Sequence, residues 1–166
     1  WRPGVMAGFG DTIVLATDAA KPTVLITGAN RGIGLELVRQ YSDRDWQIIA
    51  TARDPAGATD LQALAKANPD ITIEKLDVTD HAGVDALAAK YKGIPIDVLL
   101  NNAGISGDGE GGEFGKLAYD VYDKVHAVNA RGPFRLSALV GERMAAGDGG
   151  SIINVSTAGS LRPMAS

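Results

Sequence analysis

The segment TVLITGANRGIGLELVRQY, residues 23–41, joins a short apolar run to a glycine-rich turn and then to a helix-like pattern. The turn contains Gly28, Gly32 and Gly34. Between a strand and a helix, such glycines permit a sharp turn, a close approach of backbone to a pyrophosphate, and tight helix–strand packing. The helix N-terminus offers free N–H groups to phosphate oxygens. Taken alone, the segment fits a nucleotide-phosphate site or a tight structural corner.

Strand-like and helix-like segments alternate after this turn. The pattern predicts strands at residues 23–27, 47–52, 71–76, 96–100 and 151–155. It predicts helices at residues 32–41, 59–67, 80–91 (with Asp80 as N-cap) and 114–146, the last interrupted at Gly132 and Pro133. Strands alternating with helices favour parallel pairing through right-handed crossovers, with helices on both sheet faces. The prediction is an α/β fold, a Rossmann-type doubly wound parallel sheet.

The two ends of the chain differ in character. The 166 residues suit one domain. Residues 1–22 do not follow the alternation, and we expect a loose arm or tag remnant there, with residues 11–16 a candidate added strand. Residues 23–166 are then an incomplete dinucleotide-binding domain, in which residues 104–115 form a glycine-rich loop.

Composition narrows the class of partner. The net charge of −4 does not favour a nucleic-acid partner. The sequence has no cysteine, which removes disulfides and thiolate metal sites and suits a cytoplasmic protein. No apolar run reaches the ~18 residues of a membrane span, and no signal-peptide pattern opens the chain. We therefore expect no nucleic-acid partner, no membrane span and no metal site.

The glycine spacing, TGANRGIG at residues 27–34, resembles that of the short-chain dehydrogenase/reductase family. Further signatures of that family follow in order: LDV at 76–78, NNAG at 101–104, VNARGPF at 128–134 and IINVS at 152–156. The resemblance implies the N-terminal two-thirds of an NADP(H)-preferring, carbonyl-reductase-like member, truncated after the fifth family strand. Such an enzyme transfers hydride between the cofactor and a small carbonyl or alcohol.

The resemblance also implies the cofactor-binding residues. They are Gly28, Asn30, Arg31, Gly32, Ile33, Gly34, Arg53, Asp77, Val78, Asn102, Ala103 and Gly104. An aspartate at a strand end, such as Asp77, can accept a hydrogen bond from an adenine amino group, or serve only as a turn or cap residue. The amides of Asn101 and Asn102 can tie adjacent loops together, or form only an Asn-Gly type of turn.

Two arginines bear on the choice of cofactor. Arg53 follows the second predicted strand, where an acidic residue would bind the ribose 2′-hydroxyl of NAD and an arginine can clamp a 2′-phosphate. Arg31, in the glycine turn, could reach the same phosphate. We therefore expect NADP(H), with NAD(H) less favoured. Asp54, one position later, is the observation against it, and two solvated surface arginines are the alternative.

The catalytic residues implied by the resemblance are Asn129, Ser156 and Thr157. In the family, the asparagine lies at a helix kink whose backbone carbonyl holds a water of the proton relay; the alternative for Asn129 is an exposed helix residue. A serine polarises the substrate carbonyl, and here either Ser156 or Thr157 can take that role, or both can be turn formers. Which of the two does so stays open.

Hydride transfer to a carbonyl also needs a proton donor, which the family supplies as a Tyr-x-x-x-Lys pair on one helical face. None of the four tyrosines of this chain has a lysine four residues later. We therefore expect the chain by itself to be inactive. A non-catalytic dinucleotide-binding module and a sugar-nucleotide epimerase or dehydratase relative are the alternatives. The resemblance also implies a homo-oligomer formed through helix 114–146.

Overall fold

The computed structural model describes residues 20–106 and 119–156. Within these ranges the strands are β1 (Thr23–Ile26), β2 (Gln47–Ala52), β3 (Ile71–Lys75), β4 (Val98–Asn101) and β5 (Ser151–Asn154). The α-helices are α1 (Gly32–Ser42), α2 (Thr59–Ala67), α3 (His81–Lys90), α4 (Tyr119–His126) and α5 (Gly132–Ala146), with a π-helical turn, Ala127–Arg131, between the last two. Residues 1–19, which hold most of the predicted arm, lie outside the described residues, as do Thr157, residues 107–115 of the glycine-rich loop and the predicted helix start at 114–118.

The strands form one parallel sheet in the order β3-β2-β1-β4-β5. This arrangement confirms the predicted doubly wound α/β fold. The chain leaves β1 toward β2 on one side and returns to β4 on the other, so the strand order reverses at β1. In open parallel sheets, ligands bind beyond the carboxyl ends of the strands at such a reversal.

Helices cover both faces of the sheet. On one face, Val24, Ile26 and Ile48 pack in a buried cluster with residues of α1 and α2, including Leu35, Val38 and Leu61. On the other face, Leu25 and Ile49 pack with residues of α3 and α5, including Val84, Leu136 and Val140. Neighbouring strand residues point to opposite faces. Burial on both faces therefore explains why the central strands β1, β2 and β4 are mostly apolar, whereas β3 carries Glu74 and Lys75 and β5 is exposed.

The predicted element ends shift by one or two residues, most clearly at β4. This strand begins at Val98, not at residue 96. Asp97 precedes the ladder but still contacts β1, because its Oδ2 accepts a hydrogen bond from Thr23 N at 2.7 Å. Asp80 takes the N-cap position of α3 as predicted, although its side chain makes no capping hydrogen bond.

The long helix is interrupted just before the predicted position at Gly132 and Pro133, at Asn129, where the resemblance implied a kink. The irregularity is the π-helical turn Ala127–Arg131, which ends before them. Gly132 is the first residue of α5, and the proline lies in its first turn. Proline is tolerated there because the N–H groups of a first turn have no intrahelical partner. Among the described residues, no helix is both long and apolar enough to cross a membrane.

Candidate functional site

A cleft of about 480 Å³ lies at the carboxyl ends of the strands, where the strand order reverses. Its lining comes from the glycine turn after β1, the loop after β2, the end of β3, the loop after β4 and the π-helical turn. The lining residues are Gly28, Asn30, Arg31, Gly32, Ile33, Arg53, Asp54, Gly57, Leu76, Asp77, Val78, Asn102, Ala103, Gly104, Ile105 and Val128. Every residue predicted to bind the cofactor is among them except Gly34.

The glycine turn is shaped by close approaches that a side chain would prevent. Gly28 has a φ of +66°, and a β-carbon placed on it would lie 2.8 Å from the Cα of Ala103. Gly34 lies behind the turn, where a β-carbon would come within 2.2 Å of the carbonyl oxygen of Gly28. Gly32, at a φ of +56°, has nothing within 4 Å of that position. Gly32 therefore leaves open space beside the N-terminus of α1, which suits a bound pyrophosphate.

Thr27, the last residue of the first predicted strand and the first of the TGANRGIG motif, connects the two loops of the cleft. Its Oγ1 accepts hydrogen bonds from the backbone N–H groups of Asn102 and Ala103, both at 2.9 Å. The same hydroxyl donates to the carbonyl oxygen of Leu100 at 3.3 Å. The side chain is 1% exposed. Its place directly before the glycine turn was the one available signal, because the hydroxyl's partners lie more than 70 residues further along the chain.

Asn102 holds the glycine turn from the opposite side. Its Nδ2 donates to the carbonyl oxygens of Thr27 and Gly28, at 3.0 and 3.1 Å. A β-carbon on Gly34 would lie 2.5 Å from that nitrogen, so the third glycine of the turn makes room for this amide. The loops after β1 and β4 are tied together as the sequence suggested.

Asn101 points away from the cleft, into the contact between β4, β5 and α5. Its Nδ2 donates to Ser137 Oγ at 3.0 Å and to Asn154 Oδ1 at 2.9 Å. The side chain is buried, and within the described part of the chain its Oδ1 has no partner. Asn101 ends β4 and Asn102 follows it, and the two adjacent side chains point in opposite directions, so that they make different contacts.

Asp77 has a turn structure of its own while lining the cleft. Its Oδ1 accepts hydrogen bonds from the N–H and the hydroxyl of Thr79, at 2.9 and 2.7 Å. These bonds, the backbone N–H first, lower the pKa of the Asp77 carboxyl, and the positive charge of Arg53 adds to the effect. The carboxylate is held ionised and oriented at the end of β3.

Arg31, Arg53 and Asp54 lie together at the exposed rim of the cleft. Arg31 is the residue before α1, and Arg53 follows β2 directly. Asp54 Oδ1 accepts a hydrogen bond from the N–H of Ala56 at 3.1 Å, within its own loop. Two cations and one internally bonded carboxylate thus share the rim of the cleft.

Asn129 fastens the loop after β4 to the π-helical turn. Its Oδ1 accepts from Ile105 N at 2.9 Å and its Nδ2 donates to Ile105 O at 2.7 Å. One side chain therefore satisfies both backbone groups of a residue that lines the cleft. The π-helical turn provides this position, and π-helical turns are frequent at functional sites.

Ser156 comes two residues beyond β5, whose last residue, Asn154, is paired with Asn101. This register brings Ser156 to the same edge of the sheet as the loop after β4. Thr157 lies outside the described residues, so the choice between the two hydroxyls stays open. In the described ranges, no three histidine, aspartate or glutamate side chains lie close enough together to hold a metal ion.

Comparison with known proteins adds to this geometry. Residues 22–166 match the family described as short chain dehydrogenase. The chain is 33% identical over 163 residues to the "Probable oxidoreductase EphD" of Mycobacterium tuberculosis, covering 95% of this chain and 25% of that protein. A short-chain dehydrogenase structure from Streptomyces avermitilis superposes with a TM-score of 0.79 at 29% identity, over 89% of this chain and 53% of its own.

A second solved structure carries a nucleotide. The NADPH-bound carbonyl reductase from chicken fatty liver superposes with a TM-score of 0.72 at 33% identity, over 84% of this chain and 60% of its own. The chain thus spans between 25% and 60% of the length of these relatives and solved structures.

Proposed function

The chain belongs to the short-chain dehydrogenase family, and from that premise we propose that it binds NADP(H) as part of an oxidoreductase acting on a small carbonyl or alcohol. The carrying observation is the cleft, in which a glycine turn, a helix N-terminus and two arginines surround one continuous space. A bound cofactor would supply the hydride, while the protein supplies binding, orientation and the acid.

The preference for NADP(H) rests on charge at the rim. Arg31 and Arg53 can form forked, charge-assisted hydrogen bonds with a 2′-phosphate. Asp54, the nearby acid, already uses one carboxylate oxygen within its own loop. The NADPH bound to the similar chicken carbonyl reductase supports the same choice.

The remaining roles follow from the contacts around the cleft. The Gly28 turn and the N-terminus of α1 would bind the pyrophosphate, and Asp77 with Val78 would border the adenine. Asn129 positions Ile105 beside the space for the nicotinamide end. We propose that Ser156 or Thr157 polarises the substrate carbonyl. We also propose that the proton donor is a Tyr-x-x-x-Lys pair in a segment that follows residue 166.

Nucleotide titration tests the binding part of this proposal. NADPH and NADH are titrated into the chain by calorimetry, and NADPH should bind more tightly. Arg53→Ala should raise the dissociation constant of NADPH by about tenfold or more, since a hydrogen bond to a charged group contributes about 1.5–3 kcal/mol. Arg44→Ala, which changes an exposed arginine outside the cleft, is the matched control. Equal affinities for the two nucleotides would contradict the preference.

A non-catalytic nucleotide-binding module is the second candidate, favoured by the lack of a Tyr-x-x-x-Lys pair in the 166 residues. Both proposals, the oxidoreductase and the nucleotide-binding module, predict that this chain by itself does not oxidise NADPH with any carbonyl. The coding sequence downstream of residue 166 distinguishes them, because only the oxidoreductase requires the pair. A stop codon directly after residue 166 would favour the module, and turnover by the chain itself would contradict both.

We also propose that the protein is a homo-oligomer through the α4–α5 region. Its inward residues, such as Leu136 and Val140, are used by the chain's own core. Tyr122 and Phe134 remain 64% and 78% exposed on the described surface. Light scattering should give a multiple of the monomer mass, and Phe134→Glu should reduce it. A wild-type monomer at high concentration would refute the proposal.

A cytoplasmic location remains a prediction from the cysteine-free sequence. Fractionation of cells that express the protein from its own gene is the direct measurement. Recovery in a membrane or extracellular fraction would contradict it.

A further inference from the structure

The loop after β2 holds its acidic residue in a folded-back position. Asp54 follows Arg53, and both line the cleft together with Gly57. The Oδ1 of Asp54 accepts the N–H of Ala56 at 3.1 Å, an arrangement in which the side chain bonds to the backbone two residues on. The carboxylate therefore turns toward its own loop, although the residue lines the cleft beside Arg53.

Gly57 makes that position available. A β-carbon placed on it would lie 2.6 Å from Asp54 Oδ2 and 3.4 Å from Asp54 Cγ. No other heavy atom outside Asp54 and the adjoining residues lies within that range of contact. The carboxylate thus packs directly over the glycine, in space that any other residue would fill.

The backbone of this loop is held independently of Asp54. The Nε2 of Gln62, on α2, donates to the carbonyl oxygens of Pro55 and Ala56 at 2.6 and 3.1 Å. Ala58 N and Thr59 N donate to Pro55 O and Gly57 O at 3.3 and 3.1 Å. If a β-carbon is added at Gly57, the flexible carboxylate is therefore the group that moves.

We propose that Gly57 is a nucleotide-specificity residue, which acts by letting Asp54 fold back and leave the 2′-position to Arg31 and Arg53. The inference rests on the proposed binding of NADP(H). An acid directly after β2 bonds the ribose 2′-hydroxyl and favours NAD, whereas a 2′-phosphate requires cations. Arg53 takes that position, and Asp54 is the next residue. Since the loop carries both signs of charge, the direction in which Asp54 points decides the preference.

The chain contains a matched control for this geometry. Asp80 and Gly83 have the same spacing as Asp54 and Gly57, and a β-carbon on Gly83 would lie 2.8 Å from Asp80 Oδ2. Neither of them lines the cleft. Gly83→Ala therefore makes the same local change without placing a charge near the nucleotide.

The experiment measures the dissociation constants of NADPH and NADH for wild type, Gly57→Ala, Gly83→Ala, Asp54→Ala and the double variant at 54 and 57. Gly57→Ala should lower the NADPH preference by about tenfold, because the negative charge of Asp54 then faces the 2′-phosphate. Gly83→Ala should leave the preference unchanged. In the Asp54→Ala background, Gly57→Ala should have no effect on it.

Asp54→Glu provides a second route that leaves Gly57 intact. The longer side chain does not form the two-residue turn, so its carboxylate is released toward the cleft and the NADPH preference should fall. Asp54→Asn keeps the turn without the charge and should not lower the preference. Melting temperatures establish that each variant is folded, and if Gly57→Ala does not fold, Asp54→Glu decides.

The outcomes separate this inference from the function on which it rests. If wild type binds neither nucleotide, the proposed function fails. If wild type prefers NADPH but both Gly57→Ala and Asp54→Glu keep that preference, only the role of Gly57 is overturned. If Gly57→Ala changes the preference equally with and without Asp54, the loop backbone and not the carboxylate is responsible, which also overturns the inference.

Discussion

Replacing Thr27 by valine should loosen the cleft and destabilise the fold. Valine has nearly the shape of threonine but no hydroxyl, so the N–H groups of Asn102 and Ala103 lose their acceptor. Leaving a buried donor unsatisfied costs about 1–3 kcal/mol. Two fully buried donors would together cost about 2–6 kcal/mol. Because these two N–H groups are only part-buried, we expect Thr27→Val to lower the free energy of unfolding by about 2–4 kcal/mol.

Thr51 provides a control of the same residue type and burial. It is also 1% exposed, but its Oγ1 has no hydrogen-bond partner among the described residues. Thr51→Val should therefore be neutral or stabilising, because it removes a buried polar atom without leaving a partner unpaired. Thr27→Ser, which keeps the hydroxyl and loses one methyl group, should cost only about 1 kcal/mol.

The measurement is urea unfolding followed by circular dichroism, with nucleotide affinity determined on the same variants. Thr27→Val should weaken the binding of NADPH and of NADH to the same extent, since the hydroxyl positions the loops of the cleft and does not contact the 2′-phosphate. A free energy of unfolding for Thr27→Val within about 0.5 kcal/mol of that for Thr51→Val, the usual spread of neutral substitutions, would refute the reasoning.

Two further predictions concern the corner at the end of β3. Gly132→Ala should lower the free energy of unfolding in urea by about 1–3 kcal/mol, since the new β-carbon would lie 3.0 Å from the backbone oxygen of Val78. Gly141→Ala is the control and should be neutral or stabilising, since its β-carbon would lie 3.4 Å from the flexible end of Ile152. Equal effects would contradict the packing argument. The lowered pKa of Asp77 predicts that its stabilising contribution is present above the ordinary value of 3.8 and is lost as pH falls below it. Wild type should therefore lose stability relative to Asp77→Asn in acid unfolding, and a difference that does not vary with pH would exclude this contribution.

Much of the fold could be predicted because its signals are local. The apolar runs, the helical spacing and the glycine turn each depend on residues near one another in sequence. Proline and glycine, which are visible locally, placed the break in the long helix at residues 132 and 133. The π-helical turn lies instead at Asn129, where the resemblance implied a kink and whose partner Ile105 lies 24 residues earlier. Eleven of the twelve residues predicted to bind the cofactor line the cleft, because the turns that follow strand ends are visible in the sequence. Five further lining residues were not among them: Asp54, Gly57, Leu76, Ile105 and Val128.

The sequence by itself determined the class of fold, the glycine turn and the charges at the rim, because these follow from residue type and short spacing. Only the tertiary structure decided the strand order, the role of Thr27, the opposite directions of Asn101 and Asn102, and the folded-back carboxylate of Asp54. Several of these depend on contacts between distant segments. Asp54 is the exception, because its contacts are local. The sequence of an aspartate next to an arginine is the same whether the carboxylate faces the cleft or its own loop, and only the packing around the side chain sets its direction.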